Sequence, residues 1–352
     1  MIRVGLAGYG LAGSVFHAPL IAATPGLELV LVATGNAERA AAARREHRGV
    51  AVVPDADALI ARASEFDLLV VATPNATHFA VAQAALAAGL AVVVDKPFAA
   101  TAAEGRALIE QARAAGRMLS VFQNRRWDGD FLTVQRLVVA GTLGDVFRFE
   151  SHFDRWRPEP RAGWKNEPDA PGAGLLYDIG PHLIDQALLL FGPAETVYAE
   201  QHQLRPATRV VDDAYVIVTH RSGVSSHLVM SLLAAESGPR FRVLGRAGTF
   251  TKFGLDVQEE SLRSGVRPGD DAWGKDPRDA WGRLSNGRES HLVPTERGVY
   301  ERYYQGVADA LQNGAPPPVD PADSVAGLEI IEAANLSAAE RRVVTLGKRG
   351  VP

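Results

Sequence analysis

One histidine and two aspartates in the second half of the chain have the spacing and the chemistry for proton transfer. Asp178, His182 and Asp185 stand at positions i, i+4 and i+7, so on a helix all three can share one face. The unperturbed pKa of histidine, about 6.5, lies near working pH, and a carboxylate beside the ring can orient it. The same spacing fits a helix cap at Asp178 with a structural His–Asp hydrogen bond, and the residues alone favour neither interpretation.

A lysine in the first half is the second candidate for chemistry. Lys96 lies in the sequence Asp95-Lys96-Pro97, directly after the apolar run 91–94. A lysine at the carboxyl end of a central strand is unlike ordinary surface charge, yet functional and structural roles are equally well supported by the residues alone. His78 follows the apolar run 67–72, and by itself it is more typical of a packed or capping histidine.

A glycine-rich turn near the N-terminus indicates nucleotide binding. The apolar run 2–7 predicts a short buried strand that leads into Gly8-Tyr9-Gly10-Leu11-Ala12-Gly13, and a helical pattern follows. In such a turn Gly8 allows the tight bend, Gly10 lets the backbone approach a pyrophosphate, and Gly13 lets the helix pack on its strand. The pyrophosphate would lie on the unpaired N–H groups at the helix N-terminus.

The residues after the second predicted strand bear on the choice between NAD and NADP. An NAD-preferring site usually places a carboxylate about 20 residues beyond the glycine turn, but this chain has Thr34, Asn36 and Arg39 there. These three can hold the 2′-phosphate of NADP. They also fit a polar helix cap followed by a solvated arginine, and NAD stays the alternative cofactor.

The pattern of the first 122 residues predicts alternating strands and helices, hence right-handed βαβ units around a parallel sheet. Ligands of such sheets bind beyond the carboxyl ends of the strands. The predicted strands are 2–7, 28–33, 50–53, 67–72, 91–94 and 118–122, and the predicted helices include 36–47, 75–88 and 101–115.

The sequence pattern of residues 123–352 predicts an α+β domain. A crossover helix over 124–141 comes first, and a Gly-rich loop near 171–174 leads into one helix that runs to about Phe191. Alternating apolar and polar residues predict an antiparallel sheet with one face on a core. The predicted strands are 145–153, 195–203, 213–219, 224–231, 240–245 and 248–253; a long loop over 263–296 and helices 297–313 and 321–341 follow. The last helices could pack back on the first domain.

The composition narrows the class of protein. A length of 352 residues predicts two domains or three, and a net charge of −4 with both signs interspersed favours neither nucleic acid nor a membrane as partner. No cysteine is present, which excludes disulfides, thiolate nucleophiles and cysteine-based metal sites, and we predict no metal. We expect no signal peptide and no membrane span, hence a cytoplasmic protein.

The motifs together resemble the Gfo/Idh/MocA oxidoreductases over essentially the whole chain. The resemblance is carried by the glycine turn, by Thr73-Pro74 with His78, by Asp95-Lys96-Pro97, and by the series Gly174, Asp178, Gly180, His182, Asp185. The stretches 8–19, 124–132 and 174–186 are similar to the branch that contains NADP-linked scyllo-inositol 2-dehydrogenases. This resemblance implies a Rossmann N-terminal domain and an α+β C-terminal domain with a largely antiparallel, open-faced sheet for substrate binding and oligomerisation.

By position, the resemblance implies that Lys96, Asp178 and His182 are catalytic. The Lys96–Pro97 bond is typically cis in relatives, and Lys96 matches the lysine that hydrogen-bonds the reacting oxygen. In relatives the residue before that lysine is commonly glutamate. The side chain of Asp95 is shorter by one methylene, which puts a contact between this residue and the nicotinamide side in doubt. The implied cofactor residues also include Thr73, Pro74, Asn75 and His78. Five further residues would lie near the sugar or be structural: Arg126, Trp127, Arg155, Trp164 and Tyr177.

The implied reaction is hydride transfer between a nicotinamide and a secondary alcohol or ketone of a cyclic polyol or sugar. His182 would take the hydroxyl proton, Asp178 would orient His182 or bind a neighbouring hydroxyl, and Lys96 would stabilise charge on the oxygen. Two alternatives exist within the same family: an NAD-dependent glycosidase and a non-catalytic dinucleotide sensor. Relatives often pair through the second sheet, which implies a homodimer or homotetramer.

Overall fold

The computed structural model describes residues 1–160 and 170–347, which form two compact units. The first unit comprises Met1–Trp127, Val257–Gly274 and Val299–Val325. The second unit comprises the described residues of Asp128–Asp256, Lys275–Gly298 and Ala326–Pro352.

Six parallel strands form the sheet of the first unit. In space their order is β3-β2-β1-β4-β5-β6, and every neighbouring pair is parallel. Every residue of β4 and β5 is buried, as expected for parallel strands covered on both faces. The predicted strands of this half are confirmed to within one residue at each end: β1 Ile2–Ala7, β2 Leu27–Ala33, β3 Ala51–Val53, β4 Leu68–Val71, β5 Ala91–Val94 and β6 Leu119–Val121.

The connecting helices begin and end at recognisable signals. Asn36, Asp55 and Thr101 accept backbone N–H groups as N-caps, and Gly116 ends a helix in the left-handed conformation. The chain after the glycine turn starts as a π-helical segment, Ala12–His17. The helices are α1 Ala18–Ala22, α2 Ala37–Glu46, α3 Ala56–Ile60, α4 His78–Ala87 and α5 Ala102–Ala115.

The second unit is built on a nine-stranded sheet with the order β14-β13-β12-β11-β7-β10-β9-β8-β15. Neighbours are antiparallel except β7 and β10, so the expected α+β domain with a largely antiparallel sheet is confirmed. Burial alternates along β9, where Ala214, Val216 and Val218 face the core. The strands are β7 Val146–Asp154, β8 Ala194–His202, β9 Asp213–His220, β10 Ser225–Ser231, β11 Phe241–Gly245, β12 Thr249–Lys252, β13 Gly282–Ser285, β14 Ser290–Val293 and β15 Val344–Thr345.

The helices after α5 differ in part from the prediction. The predicted crossover helix over 124–141 is a short 3-10 segment, Asn124–Trp127, followed after Asp128 by a separate helix. These helices are α6 Gly129–Val139, α7 Leu175–Asp178, α8 Gly180–Phe191, α9 Gln258–Arg263, α10 Glu301–Asn313 and α11 Pro321–Glu340.

The prediction of a long loop over 263–296 is wrong, because this segment contains the hairpin of β13 and β14. Asn286 and Gly287 form its turn: the Asn286 side chain accepts the N–H groups of Arg288 and Glu289, and Gly287 has φ +85. Asn-Gly is a strong hairpin signal, but the strands that flank it are short and poor in apolar residues.

Candidate active site

Of the three glycines in the turn, only Gly10 has open space beside its backbone, where a ligand could approach. A Cβ on Gly8, whose φ is +99, would stand 2.4 Å from the carbonyl oxygen of Ala72, and one on Gly13 would stand 2.0 Å from the carbonyl oxygen of Gly8. The nearest atom to a Cβ on Gly10 is Nη1 of Arg39, at 3.7 Å. Gly8 and Gly13 are therefore required by the protein's own packing, whereas the space at Gly10 suits a dinucleotide.

The other residues of the turn have different surroundings. Tyr9 is buried, and its hydroxyl donates to Oε2 of Glu46 at 3.1 Å, at the end of α2. Burial raises the pKa of Tyr9, as does the charge of Glu46. Leu11 is exposed, and Ala12 begins the π-helical segment. Tyr9 therefore ties the turn to α2, while its neighbours remain accessible.

The three residues considered for a 2′-phosphate lie at the start of α2. Oδ1 of Asn36 accepts the N–H of Arg39 at 2.9 Å as the helix cap, and Oγ1 of Thr34 accepts the N–H of Asn36 at 3.4 Å. The guanidinium of Arg39 is exposed and lies beside Gly10. The cap is thus present, and it also brings a cation to the glycine turn.

The segment after β4 is joined to the segment after β5 by a buried histidine. Nδ1 of His78 lies 2.8 Å from the carbonyl oxygen of Pro97, and its Nε2 lies 2.9 Å from that of Thr73. Pro74 and Asn75 lie between Thr73 and α4, and Asn75 is buried. Burial lowers the pKa of His78, against the effect of Asp95 and the two carbonyl groups. The structure therefore brings these predicted cofactor residues together.

Lys96 is placed by the end of β5. The Lys96–Pro97 peptide bond is cis, as the resemblance implied, and Oδ1 of Asp95 accepts the N–H of Lys96 at 2.8 Å. Burial raises the pKa of Asp95, but the charges and contacts of His17, Lys96 and His78 together hold it below its ordinary value. Asp95 is therefore a half-buried carboxylate next to a lysine at the carboxyl edge of the sheet.

The helix predicted to carry Asp178, His182 and Asp185 is two helices. Asp178 ends α7, and α8 begins at Gly180, so the spacing between Asp178 and His182 spans a break at Ile179. The i, i+4, i+7 spacing therefore lies within one continuous helix only for His182 and Asp185, which are both in α8. Both are buried, at 5% and 4% exposure.

Two of the substrate candidates lie in the first unit. Nη2 of Arg126 donates to Oδ2 of Asp323 at 2.9 Å, and the side chain of Arg126 is 11% exposed. The ring of Trp127 meets that of Tyr303 edge-on, and the carbonyl group of Trp127 accepts the N–H of Val299 at 3.0 Å. Both residues therefore have structural partners within the first unit.

Two further candidates lie in the second unit, and Trp164 lies outside the described residues. The guanidinium of Arg155 lies 4.9 Å from the centre of the Phe153 ring. Burial and the charge of Glu332 raise the pKa of Tyr177. Tyr177 hydrogen-bonds the side chain of Asn335, which also belongs to α11, so the phenol faces that helix.

Sequence reasoning missed a buried ionic cluster in the second unit. Arg240 is 2% exposed; its guanidinium donates to Ser151 at 2.6 Å and to Gln186 at 2.8 Å, and it lies 3.6 Å from Asp130. Asp128, also buried, lies 4.0 Å from it. Gln186 stands one helical turn after His182, so Arg240 joins α8 to the start of α6. No local pattern signals this contact, because its partners are far apart in sequence.

The comparisons with known families match both halves of the chain. The Gfo/Idh/MocA model described as an oxidoreductase family NAD-binding Rossmann fold matches residues 2–123. The model described as the C-terminal alpha/beta domain of that family matches residues 135–346. The chain belongs to the Gfo/Idh/MocA oxidoreductases. The expected family and the expected Rossmann domain are therefore confirmed, and the family's homologues include dehydrogenases.

Individual relatives are similar over nearly their whole length. The uncharacterized oxidoreductase YdgJ of Escherichia coli is 42% identical over 98% of this chain and 99% of its own. The scyllo-inositol 2-dehydrogenase (NADP(+)) IolW of Bacillus subtilis is 35% identical over 98% of this chain and 96% of its own. The solved structure of yvaA from Bacillus subtilis superposes with a TM-score of 0.93 at 35% identity, covering 98% of each chain.

Among residues 1–160 and 170–347, no group of three or more His, Asp or Glu side chains is arranged to hold a metal ion. No helix in the same residues combines the length and the apolar character needed to cross a membrane.

Proposed function

We propose that this Gfo/Idh/MocA oxidoreductase is an NADP-linked dehydrogenase that transfers hydride between the nicotinamide and a secondary alcohol or ketone of a cyclic polyol resembling scyllo-inositol. The observation that carries the proposal is Lys96, a lysine at the carboxyl edge of the same parallel sheet whose first strand ends in the glycine turn. The full-length similarity to IolW supports both the substrate class and the choice of NADP.

The residues of the first unit fit a dinucleotide. The open space at Gly10 admits a pyrophosphate, and the N-terminus of the following helix attracts its charge. Arg39, beside that turn, would bind the 2′-phosphate of NADP, because an arginine guanidinium pairs well with phosphate oxygens. Thr73, Pro74 and Asn75 would line the cofactor beyond β4.

The nicotinamide, when bound, supplies the hydride acceptor or donor of the reaction. Lys96 would donate a hydrogen bond from its ammonium group to the reacting substrate oxygen and stabilise the negative charge that develops there. His182 would accept the hydroxyl proton on an imidazole nitrogen, and Asp178 would orient His182 or bind a neighbouring hydroxyl. Asp185, buried on the same helix, would keep the charge of a protonated His182 compensated.

The proposal includes a homodimer or homotetramer built on the outward face of the second sheet. The outward residues of β9 and β10 are half-buried in the single chain, among them Tyr215, Ile217, His227 and Val229. Light scattering of the purified protein measures the mass of the particle, and a monomer at every concentration would contradict this part.

The activity is tested with a panel of inositols and aldoses, each with NADP+ and with NAD+, following reduced nicotinamide by absorbance. We expect turnover with a cyclic polyol and NADP+. Lys96→Ala should lower kcat about 10²–10³-fold, and His182→Ala about 10²–10⁴-fold. NADP+ should still bind to both variants.

Matched controls are Lys275→Ala and His202→Ala, because both side chains are exposed. Wild-type turnover in Lys96→Ala would remove the lysine from the mechanism. Release of a free sugar from a glycoside without consumption of cofactor would identify the glycosidase alternative. Binding of NADP+ with no turnover of any polyol or aldose would favour the sensor.

A further inference from the structure

A buried histidine of the first unit lies beside the carboxylate of Asp95, the residue that precedes Lys96. His17 is 0% exposed, at the end of the π-helical segment. Its Nδ1 lies 2.6 Å from the hydroxyl of Tyr304 on α10, and its Nε2 lies 3.8 Å from Oδ1 of Asp95. The ring of Phe122 packs on the imidazole, with the ring centres 4.3 Å apart. The orientation of the imidazole is therefore fixed from three sides.

One carboxylate oxygen of Asp95 lies next to both Lys96 and His17. Oδ1 accepts the backbone N–H of Lys96 at 2.8 Å, and Oδ1 is also the atom that faces His17. In the neutral tautomer whose Nδ1 accepts the Tyr304 hydroxyl proton, the imidazole carries its own proton on Nε2, the nitrogen nearer to this oxygen. The imidazole of His17 and the backbone N–H of Lys96 thus face the same carboxylate oxygen.

The last residue of the segment contacts a second histidine. His78 contacts the carbonyl group of Pro97, so the first and the last residue of Asp95-Lys96-Pro97 each lie against a histidine. Asp95 and Pro97 flank the lysine, and a shift of either moves its Cα. The contact that the aspartate of this chain makes is therefore internal: it holds the lysine's own backbone.

We propose that His17 is a positioning residue that acts through Asp95 to hold the Lys96 ammonium where the reacting oxygen binds. What the lysine does there rests on the proposed dehydrogenase function, but its placement by His17 does not. Hydride transfer requires the reacting groups to be held in the correct positions, since a misplacement of about 1 Å can lower the rate about 10²-fold.

Two substitutions separate this role from simple packing. In His17→Gln the side-chain amide nitrogen reaches the place of Nε2 and keeps an N–H group beside Asp95, while the contact with Tyr304 is lost. In His17→Asn the amide reaches only the place of Nδ1, so the contact with Tyr304 stays and that with Asp95 is lost. Tyr304→Phe is the control for losing the tyrosine contact alone.

We expect His17→Asn to lower kcat by about 10- to 100-fold while the KM for NADP+ stays near wild type, since about 1 Å of misplacement has costs of this size. His17→Gln and Tyr304→Phe should stay near the wild-type kcat. Equal loss of kcat in His17→Gln and His17→Asn, in step with their melting temperatures, would reduce His17 to a packing residue and overturn the proposal.

A second measurement does not depend on turnover. The chain has five lysines, so the resonance of Lys96 can be assigned in a protein with isotope-labelled dimethyl-lysines by comparison with Lys96→Arg. His17→Asn should shift this resonance and His17→Gln should not. If the wild type oxidises no polyol, the proposed function fails, and the Lys96 resonance alone decides the role of His17. An unchanged resonance in His17→Asn would then overturn the positioning role of His17.

Discussion

Replacing Gly10 by alanine should weaken cofactor binding without unfolding the protein. The backbone of Gly10 does not have a positive φ, so alanine can adopt its conformation. The nearest atom to the added Cβ is the flexible end of Arg39, at 3.7 Å, an ordinary contact distance. The free protein therefore has room for the methyl group, and a pyrophosphate that approaches the turn does not.

The expected loss of cofactor affinity follows from the cost of one extra methyl group in a packed interface. Overpacking by one such group costs about 1–3 kcal/mol, which corresponds to a Kd about 5- to 150-fold higher. The free energy of unfolding without cofactor should change by no more than about 0.5 kcal/mol, as for other substitutions that meet open space.

Gly13→Ala is the matched comparison. Gly13 also lacks a positive φ, but its Cβ would stand 2.0 Å from the carbonyl oxygen of Gly8, which is backbone and cannot move freely. This variant should lose about 1–3 kcal/mol of stability even without cofactor. Urea unfolding measures stability, and calorimetric titration with NADP+ measures affinity. Wild-type affinity in a folded Gly10→Ala protein would refute the assignment of the turn to the pyrophosphate.

Three further predictions follow from individual contacts. Arg39→Gln should raise the KM for NADP+ about 10- to 100-fold, the worth of a hydrogen bond to a charged group, and leave the KM for NAD+ unchanged; an equal rise for both would contradict the 2′-phosphate contact. Arg240→Met should cost about 3–5 kcal/mol in urea unfolding because it leaves buried carboxylates unpaired, whereas Arg242→Met, 46% exposed on the neighbouring β11, should cost under about 1 kcal/mol. The side-chain hydrogen bond from Arg3 lowers the pKa of Asp67, so Asp67→Asn should be less stable than wild type at neutral pH, and this difference should vanish as pH falls well below about 4; a difference independent of pH would contradict it.

Much of the fold could be predicted from local patterns. The strands around the glycine turn are continuous apolar runs, and six strands of the second unit alternate cleanly, so each is found to within one residue at its ends. The hairpin at 282–293 was missed because its strands have four residues each and few apolar side chains. The break at Ile179 was missed because helical spacing continues through it.

The candidate site was predictable only where its residues follow a motif. Lys96 and the glycine turn stand directly after strands, so their positions at the edge of the sheet follow from the topology. His17 and Arg240 owe their importance to partners far along the chain: His17 contacts Tyr304 across 287 positions. Such contacts arise from tertiary packing, which no window of sequence contains.

A crystal structure of the protein with NADP+ and a bound inositol tests the central claim most directly. The account predicts the ammonium of Lys96 and the imidazole of His182 within about 2.6–3.2 Å of the same hydroxyl oxygen, with the hydrogen on that carbon facing the nicotinamide. An inositol that contacts only one of the two residues, or a carbon turned away from the ring, would contradict it.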